Sequence, residues 1–263
     1  MAIPMFLQGD FRFKETAGVT DVNTIISDLL SELVTNGSWT DQGGNVYRSP
    51  ADFWGRYANL ALTRNAATDL GISIADHAGA TVCAGKILID AGGTTVRYYT
   101  GPGHCVVESA RTTPEHFRLF RLNPHPDPDG ILLFPWVAMS YRDPAGTART
   151  SNYAYSFGYS YASGTYGSYE RHFTGTFGSN NVYMCRCRTL SGALFCLPYD
   201  AYISSPTDYY WAGRAPHALL VNSSVLDGAE ITVPLDTGVA GTFKAVGGTA
   251  QTTYAIKLAM RKA

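Results

Sequence analysis

Charged residues are scarce in this sequence, and neither sign of charge dominates. Asp, Glu, Lys and Arg make up 16% of its 263 residues, against roughly 25% in an ordinary soluble domain. The 20 Lys and Arg and the 21 Asp and Glu leave a formal net charge of −1. A protein that binds nucleic acid through a broad basic surface is therefore not expected, and no nucleic-acid partner is predicted.

Long apolar runs are also missing. The longest, Ile131–Met139, is interrupted by Pro135 and is far shorter than the roughly 20 residues of a membrane-spanning helix. The N-terminal residues contain a short apolar stretch with no basic residue before it and an acid at Asp10, which is not the pattern of a secretory signal. These features predict a chain with no membrane partner.

Cysteine is sparse and odd in number, which is not the composition of a disulfide scaffold. We interpret the thiols as small buried hydrophobic groups. Inter-subunit disulfides are the alternative, since an odd number leaves at least one thiol spare. The C-x-C pair lacks the two-residue spacer and the nearby fourth ligand of a zinc site, so no metal site is predicted. The candidate structural or inter-subunit cysteines are Cys83, Cys105, Cys185, Cys187 and Cys196.

Local catalytic motifs are missing as well. Leu235–Gly238 reads Leu-Asp-Thr-Gly, as in aspartic proteases, but those enzymes pair two aspartates and the sequence has no second copy. We predict a polar turn there instead. No serine-hydrolase elbow, phosphate loop or dinucleotide pattern occurs, and Asp127 and Asp129 lack calcium-loop spacing. We predict no catalytic residues and no cofactor, although glycosidase carboxylates carry no local motif and that alternative stays open.

What the sequence has in abundance is Gly (27), Tyr (17), Ser and Thr, a composition typical of a β-rich protein with many turns. Between Tyr57 and Ser109, apolar residues alternate with polar ones in short runs that are separated by glycine turns. This pattern predicts an antiparallel meander with one face buried. Residues 38–48 add a predicted hairpin.

One segment has a strong helical pattern. Within Asp21–Val34 the apolar residues recur at steps of three and one, which places them on one face. Thr20 or Asp21 is expected to cap the first turn, and Asn36–Gly37 to end the helix in the left-handed conformation. A helix with one apolar face has to pack on a sheet or on another subunit.

The second half of the chain begins after a proline-rich stretch. Thr113-Pro114 predicts the start of a short helix that runs to Leu122, and the alternating prolines of 123–130 predict a link between two lobes. Strands are predicted at 131–141, at 182–188 paired with 193–199, and in three segments after residue 230. The predicted domains are 1–122, the link 123–130, and 131–263.

A tyrosine-rich segment stands out within the second lobe. Residues 151–181 are rich in Tyr, Gly and Ser with almost no aliphatic residues. Tyrosine offers a large contact area at low rotamer cost with a polar tip. The candidate interface residues are therefore Tyr153, Tyr155, Tyr159, Tyr161, Tyr166 and Tyr169.

These patterns together predict a mainly β protein with minor α content (α+β). We expect an antiparallel sheet or β-sandwich covered by the N-terminal amphipathic helix, followed by a second β-rich lobe that contains the 151–181 insertion.

Three parts of the sequence resemble a group of tailed-bacteriophage virion proteins. The first is Ile26–Trp39 followed by Val46–Pro50, which is similar to their helix, tryptophan and Ser-Pro opening. The second is Tyr98–His104 with Val107–Ser109. The closing strands form the third, Leu220–Ser224, Val233–Thr237 and Thr242–Lys244, while 151–181 shows no match.

The resemblance implies a non-enzymatic virion protein that is assembled in the host cytoplasm. Such a subunit is expected in many copies, in a homo-oligomeric ring with other virion proteins at the tail, neck (collar) or baseplate. Low charge suits this role, because closely packed copies with little charge do not repel each other. The alternative is a receptor- or glycan-binding module at the tail tip, with or without glycan hydrolase activity, whose partner is a bacterial surface glycan.

Overall fold

The computed structural model of the chain describes residues 10–52, 55–122, 133–148, 153–160, 165–172, 181–184, 196–204, 209–235, 238–248 and 256–263. For the strands between residues 153 and 213 we describe the backbone alone. Among these residues, none of the helices is long and apolar enough to span a membrane. The predicted link 123–130, with Asp127 and Asp129, lies outside the described residues.

The described chain is predominantly β-structure, which confirms the predicted class. The strands are β1 (Arg12–Val19), β2 (Thr40–Asp41), β3 (Val46–Arg48), β4 (Asn59–Ala66), β5 (Asp69–Ala75), β6 (Thr81–Leu88), β7 (Thr94–Gly101), β8 (His104–Ser109), β9 (Glu115–Arg121), β10 (Leu133–Ser140), β11 (Tyr153–Ser160), β12 (Thr165–His172), β13 (Asn181–Met184), β14 (Cys196–Ser204), β15 (Tyr209–Asn222), β16 (Glu230–Pro234), β17 (Ala240–Ala245) and β18 (Ile256–Arg261). One short α-helix, α1 (Val22–Leu29), continues into a π-helical segment, Leu30–Thr35.

The chain divides into two compact units. The N-terminal unit comprises Gly9–Phe120 and Val137–Thr150, and the C-terminal unit comprises the rest of the chain. In the N-terminal unit, β2-β3-β4-β5-β6 form one antiparallel sheet, and β1-β7-β8-β9 lie side by side in another, followed by the Val137–Ser140 part of β10. The predicted meander is therefore present, but the chain passes from the first sheet to the second between β6 and β7.

The predicted helix is confirmed, with a different ending. Asp21 caps it by accepting the main-chain N–H of Asn23 at 2.8 Å, and Val22, Ile25 and Leu29 are fully buried. The expected left-handed stop is wrong, because Asn36 has φ −104° and donates its N–H to Ser31 O at 2.8 Å. The last turn widens into a π-helix, so the chain leaves the helix without a left-handed residue.

The predicted helix at 113–122 is wrong, because this segment forms β9. Pro114 immediately precedes the strand, and the register pairs Ser109 with Glu115 and His104 with Phe120. Six consecutive residues from Glu115 to Phe120 are buried. A strand buried on both faces does not alternate in hydropathy, so its sequence does not differ from that of a short buried helix.

The C-terminal unit contains a hairpin of β11 and β12 and a six-stranded sheet in the order β13-β14-β15-β18-β17-β16. The predicted C-terminal strands are confirmed, and β18 pairs with both β15 and β17. The predicted hairpin of 182–188 with 193–199 has a different register, since Met184 pairs with Ala201. Gly238 donates its N–H to Leu235 O at 3.1 Å, which confirms the predicted turn; Asp236 and Thr237 lie outside the described residues.

The buried phenol of Tyr47 makes the stability of the N-terminal unit depend on pH at alkaline values. Burial, with a smaller contribution from the charge of Asp41, raises its pKa from 10.0 to about 12. The folded state therefore holds the phenol proton more tightly than the unfolded chain. This contribution to stability is complete below pH 10 and is lost as the pH rises toward 12. We expect Tyr47→Phe to decline less in stability than the parent over that range, as measured by urea unfolding. An equal decline in both proteins would contradict this.

Candidate functional site

The predicted tyrosine surface falls on the β11–β12 hairpin. Tyr153, Tyr155 and Tyr159 occupy alternate positions of β11, and Tyr159 is the register partner of Tyr166. Tyr169 pairs with Ser156 and is out of phase with that set. Tyr161 lies outside the described residues. The hairpin brings these positions together, and its use as an interface stays a prediction.

Two of the candidate cysteines are buried within the N-terminal unit. Cys83 in β6 and Cys105 in β8 are free of disulfides, with exposed fractions of 2% and 0%. Burial raises the pKa of the Cys105 thiol to about 12. Cys185 and Cys187 lie outside the described residues, and of Cys196 only the position in β14 is described.

The burial of these thiols predicts that they are unreactive in the native protein. Thiolate is the reactive form, and both burial and a raised pKa suppress it. We expect iodoacetamide at pH 8 to leave Cys83 and Cys105 unmodified in the folded chain and to alkylate both in urea, as read by peptide mass mapping. Alkylation of Cys105 in the folded chain would contradict the burial.

A cross-strand row of polar residues went undetected in the sequence patterns. In register across β1, β7, β8 and β9 lie Glu15, Arg97, Glu108 and His116. The Arg97 Nε lies 2.6 Å from Glu15 Oε2, and its Nη1 lies 3.1 Å from Glu108 Oε1. Glu108 and His116 are both 0% exposed. We call these four residues the polar row.

The charge state of the polar row follows from its contacts. Burial alone would lower the pKa of the Arg97 guanidinium, but the charge of Glu108 and hydrogen bonds from Arg97 to Glu15 and Glu108 raise it. Arg118 Nη2 lies 3.1 Å from His116 Nε2. Because a guanidinium has only donors, His116 Nε2 is the acceptor in this contact.

A second charged cluster surrounds Glu115 at the start of β9. Its Oε1 accepts from Arg111 Nη1 at 2.6 Å and from Arg142 Nε at 2.7 Å. Its Oε2 accepts the main-chain N–H of Leu88 at 3.1 Å. Arg111 also binds Asp90 at 2.8 Å. The carboxylate of Glu115 thus joins the end of β6 to β9 and to the segment after β10, and we call this group the Glu115 cluster.

Two carboxylates of the helical segment are directed at β1. Asp28 receives Lys14 Nζ at 2.6 Å and the Thr16 hydroxyl at 2.8 Å. Glu32 receives Arg12 Nε at 2.9 Å. Asp28 and Glu32 are the two charged residues of the helical segment, and both are buried against β1. The exposed positions of the segment therefore carry no charge.

The charged groups of the N-terminal unit are used in internal contacts. Every Lys and Arg described there contacts a polar or aromatic group of the same unit. The pairs are Arg12–Glu32, Lys14–Asp28, Arg48–Asn59, Arg56–Asp52, Arg64–Asp21, Lys86–Asp69, Arg97–Glu108, Arg111–Glu115, Arg118–His116 and Arg142–Glu115.

The polar row does not have the arrangement of a hydrolytic site. A glycosidase needs one carboxylic acid as proton donor beside a second carboxylate with the substrate between them, whereas Glu15 and Glu108 both bind the guanidinium of Arg97, which lies between them. A search of the described residues finds no group of three or more His, Cys, Asp or Glu side chains placed to hold a metal ion. The geometry supports cross-strand charge pairing.

In the sequence, Arg97 and Glu108 each gave a weak indication of a buried charge pair. Arg97 lies between the buried residues Val96 and Tyr98, and Glu108 lies within a strand that is buried throughout. A charge inside a buried strand indicates a paired charge. The partner, however, lies on a neighbouring strand up to 82 positions away in sequence.

No protein-family model and no curated protein matches this chain.

Proposed function

We propose that the chain is a non-enzymatic structural subunit of a tailed-phage virion. It assembles in multiple copies, in a ring with itself and with other virion proteins, at the tail, neck or baseplate. The resemblance of three sequence segments motivates the proposal, and one structural observation carries it: every described Lys and Arg of the N-terminal unit has a contact within that unit.

Pairing of these charges within the unit lowers the electrostatic repulsion between subunits in an assembly. The net charge is −1 on 263 residues, and eight of the ten described Lys and Arg of the N-terminal unit pair with carboxylates, which leaves little unpaired positive charge on the described part of the unit. Identical subunits in a ring meet the same neighbour repeatedly, so any uncompensated charge at a contact is repeated around the ring. Internal pairing lowers this repulsion and leaves contacts to aromatic and uncharged polar groups.

The proposal includes a finer architecture for the N-terminal unit, a β-sandwich covered by the amphipathic helix. Three contacts support it. Trp39 Nε1 donates to Gly101 O of β7 at 2.9 Å, the Tyr47 hydroxyl lies 3.4 Å from Ile26 O of the helix, and Ser109 of β8 donates to Leu88 O of β6 at 2.7 Å. These bonds connect the helical segment to the first sheet, Trp39 after the helical segment to the second sheet, and the two sheets to each other.

The proposal is tested by the mass of the purified chain in solution, measured by light scattering and followed by negative-stain imaging. We expect a discrete ring, or a monomer that incorporates when it is mixed with phage tail or neck components. A stable monomer or trimer that joins no such assembly would overturn the proposal.

The tyrosine hairpin offers a variant with a matched control. We expect Tyr155→Ala with Tyr159→Ala to reduce assembly at least tenfold in subunit concentration, the effect of losing about 1.4 kcal/mol of contact energy. Ser156→Ala, at the intervening position of β11, is the control and should assemble like the parent. If all three proteins assemble equally, the tyrosines of β11 do not contribute to the interface.

A glycan-binding module at the tail tip is the second candidate, favoured by the alternate tyrosine positions of β11. Aromatic faces suit sugar rings as well as protein contacts. Binding of the chain to bacterial surface polysaccharide, lost in the double tyrosine variant and without ring formation, would favour this candidate.

A further inference from the structure

The helical segment is followed by an Asn-Gly dipeptide, a sequence in which the asparagine side chain is open to attack by the next main-chain nitrogen. Asn36 and Gly37 follow the π-helical segment, and both are exposed. Asn36–Gly37 is the single Asn-Gly pair in the sequence. A glycine after asparagine has no side chain to hinder attack of its main-chain nitrogen on the asparagine side chain.

The fold requires glycine at this position. A Cβ on residue 37 would lie 2.3 Å from Leu33 O and 2.7 Å from Glu32 O. Both are main-chain oxygens of the helical segment, so they cannot move aside without opening its last turn. Gly37 is therefore needed for close approach rather than for a left-handed conformation, and the unhindered Asn-Gly sequence is a consequence of the fold.

We propose that Asn36 is a site of spontaneous modification through a cyclic imide. The Gly37 nitrogen gives its proton to solvent and attacks Cγ of Asn36, and a C–N bond forms. The bond from Cγ to the side-chain nitrogen then breaks as that nitrogen takes up a proton from solvent and leaves as ammonia. Water then opens the imide at either carbonyl. The product is aspartate, or isoaspartate in which the main chain continues through the former side-chain carbonyl.

One hydrogen bond opposes the reaction. Asn36 Nδ2 donates to Ser31 Oγ at 3.0 Å, and this contact holds the side-chain amide toward the helix. Ring closure requires the amide to leave this position. Removing the Ser31 hydroxyl therefore accelerates the modification of Asn36. If the Asn36 side chain were not restrained by Ser31, substitution of residue 31 would not change the rate.

The modification changes the contact between the helical segment and β1. Arg12 Nη1 donates to Asn36 O at 3.3 Å, and its Nε binds Glu32 at 2.9 Å. A carboxylate at residue 36 competes with Glu32 for this guanidinium. Isoaspartate also lengthens the main chain by one carbon, just before the Trp39 N–H that donates to Leu33 O at 3.0 Å. The modified protein is expected to unfold at a lower temperature.

The test is to incubate the full-length folded chain at pH 8 and 37 °C and to map its peptides by mass spectrometry, with isoaspartate identified by enzymatic methylation. We expect the peptide with Asn36 to gain about 1 Da and to split into aspartate and isoaspartate forms before any other asparagine peptide changes. Ser31→Ala should react at least twofold faster. Asn36→Gln is the control and should remain unmodified at this position.

An Asn36 peptide that remains unchanged while the peptide containing Asn222-Ser223 is modified would overturn the proposal. Equal rates in the parent and in Ser31→Ala, with both folded by circular dichroism, would contradict the restraint by Ser31. A further comparison uses Asn36→Asp, which adds the charge without lengthening the main chain. Its melting temperature should lie between those of the parent and the isoaspartate form, and a value equal to the parent's would exclude the competition for Arg12.

Discussion

Gly85→Ala is expected to destabilise the protein by about 3 kcal/mol, because the new methyl group has no room. A Cβ on residue 85 would lie 1.9 Å from Ser140 Oγ and 2.5 Å from the main-chain oxygen of Arg142. The Ser140 hydroxyl can rotate away, but Ser140 Cβ, at 2.3 Å, and the Arg142 carbonyl cannot move without the backbone. β6 would therefore have to separate from the end of β10 and the segment after it. Urea unfolding of the purified variant measures the loss.

Gly92→Ala is the matched control for this prediction. No atom lies within 4 Å of the Cβ position at Gly92, and its φ is outside the left-handed region. Alanine there restricts the unfolded chain without creating a clash, so we expect stability equal to the parent's or higher by about 0.5 kcal/mol. Adding Ser140→Gly to Gly85→Ala should restore part of the loss, since the contact with Arg142 O remains. Equal stability of Gly85→Ala and Gly92→Ala would contradict the close approach.

The second large effect is expected at the Glu115 cluster. Glu115 is 0% exposed, and one of its oxygens binds the guanidinium groups of Arg111 and Arg142. Glu115→Gln keeps the shape of the side chain but leaves both cations without their shared counter-charge. Breaking a buried ion pair from one side costs about 3–5 kcal/mol, and we expect a loss in that range by chemical denaturation.

An exposed ion pair supplies the control. Lys262 Nζ lies 2.6 Å from Glu230 Oε1, but this carboxylate is 46% exposed. Water solvates the separated charges, so Glu230→Gln is expected to cost less than about 1 kcal/mol. Adding Arg142→Met to Glu115→Gln should recover stability relative to the single variant, because one uncompensated cation is removed. A loss at Glu115 no larger than that at Glu230 would show that the cluster is solvated.

Local periodicity was sufficient for the elements that have one apolar face. The helix that begins at Val22 was predicted with its Asp21 cap, because its apolar residues follow the period of a helix. The strands β4 to β7 were predicted from alternating residues, which indicate a strand with one buried face. β8 is buried throughout and was predicted from the glycine turn before it. β9 was not, because its residues are buried on both faces and their hydropathy carries no period.

The residues of the candidate site could not be found in this way. Glu15, Arg97, Glu108 and His116 lie on separate strands, and only the register of β1, β7, β8 and β9 places them in one row. The sequence showed few charges, but not that eight of the ten described Lys and Arg of the N-terminal unit pair with carboxylates of the same unit. Pairing depends on distances between strands that are remote in sequence.

The sequence by itself determined the β-rich class, the position of the helix and the low net charge, because these depend on composition and on the period of neighbouring residues. Tertiary structure alone decided which charges meet, and which glycines are required. Gly85 resembles other strand glycines in sequence, yet the main-chain oxygen of Arg142 lies 2.5 Å from its Cβ position. Such a close approach arises only when the packed backbone brings together segments that are remote in sequence.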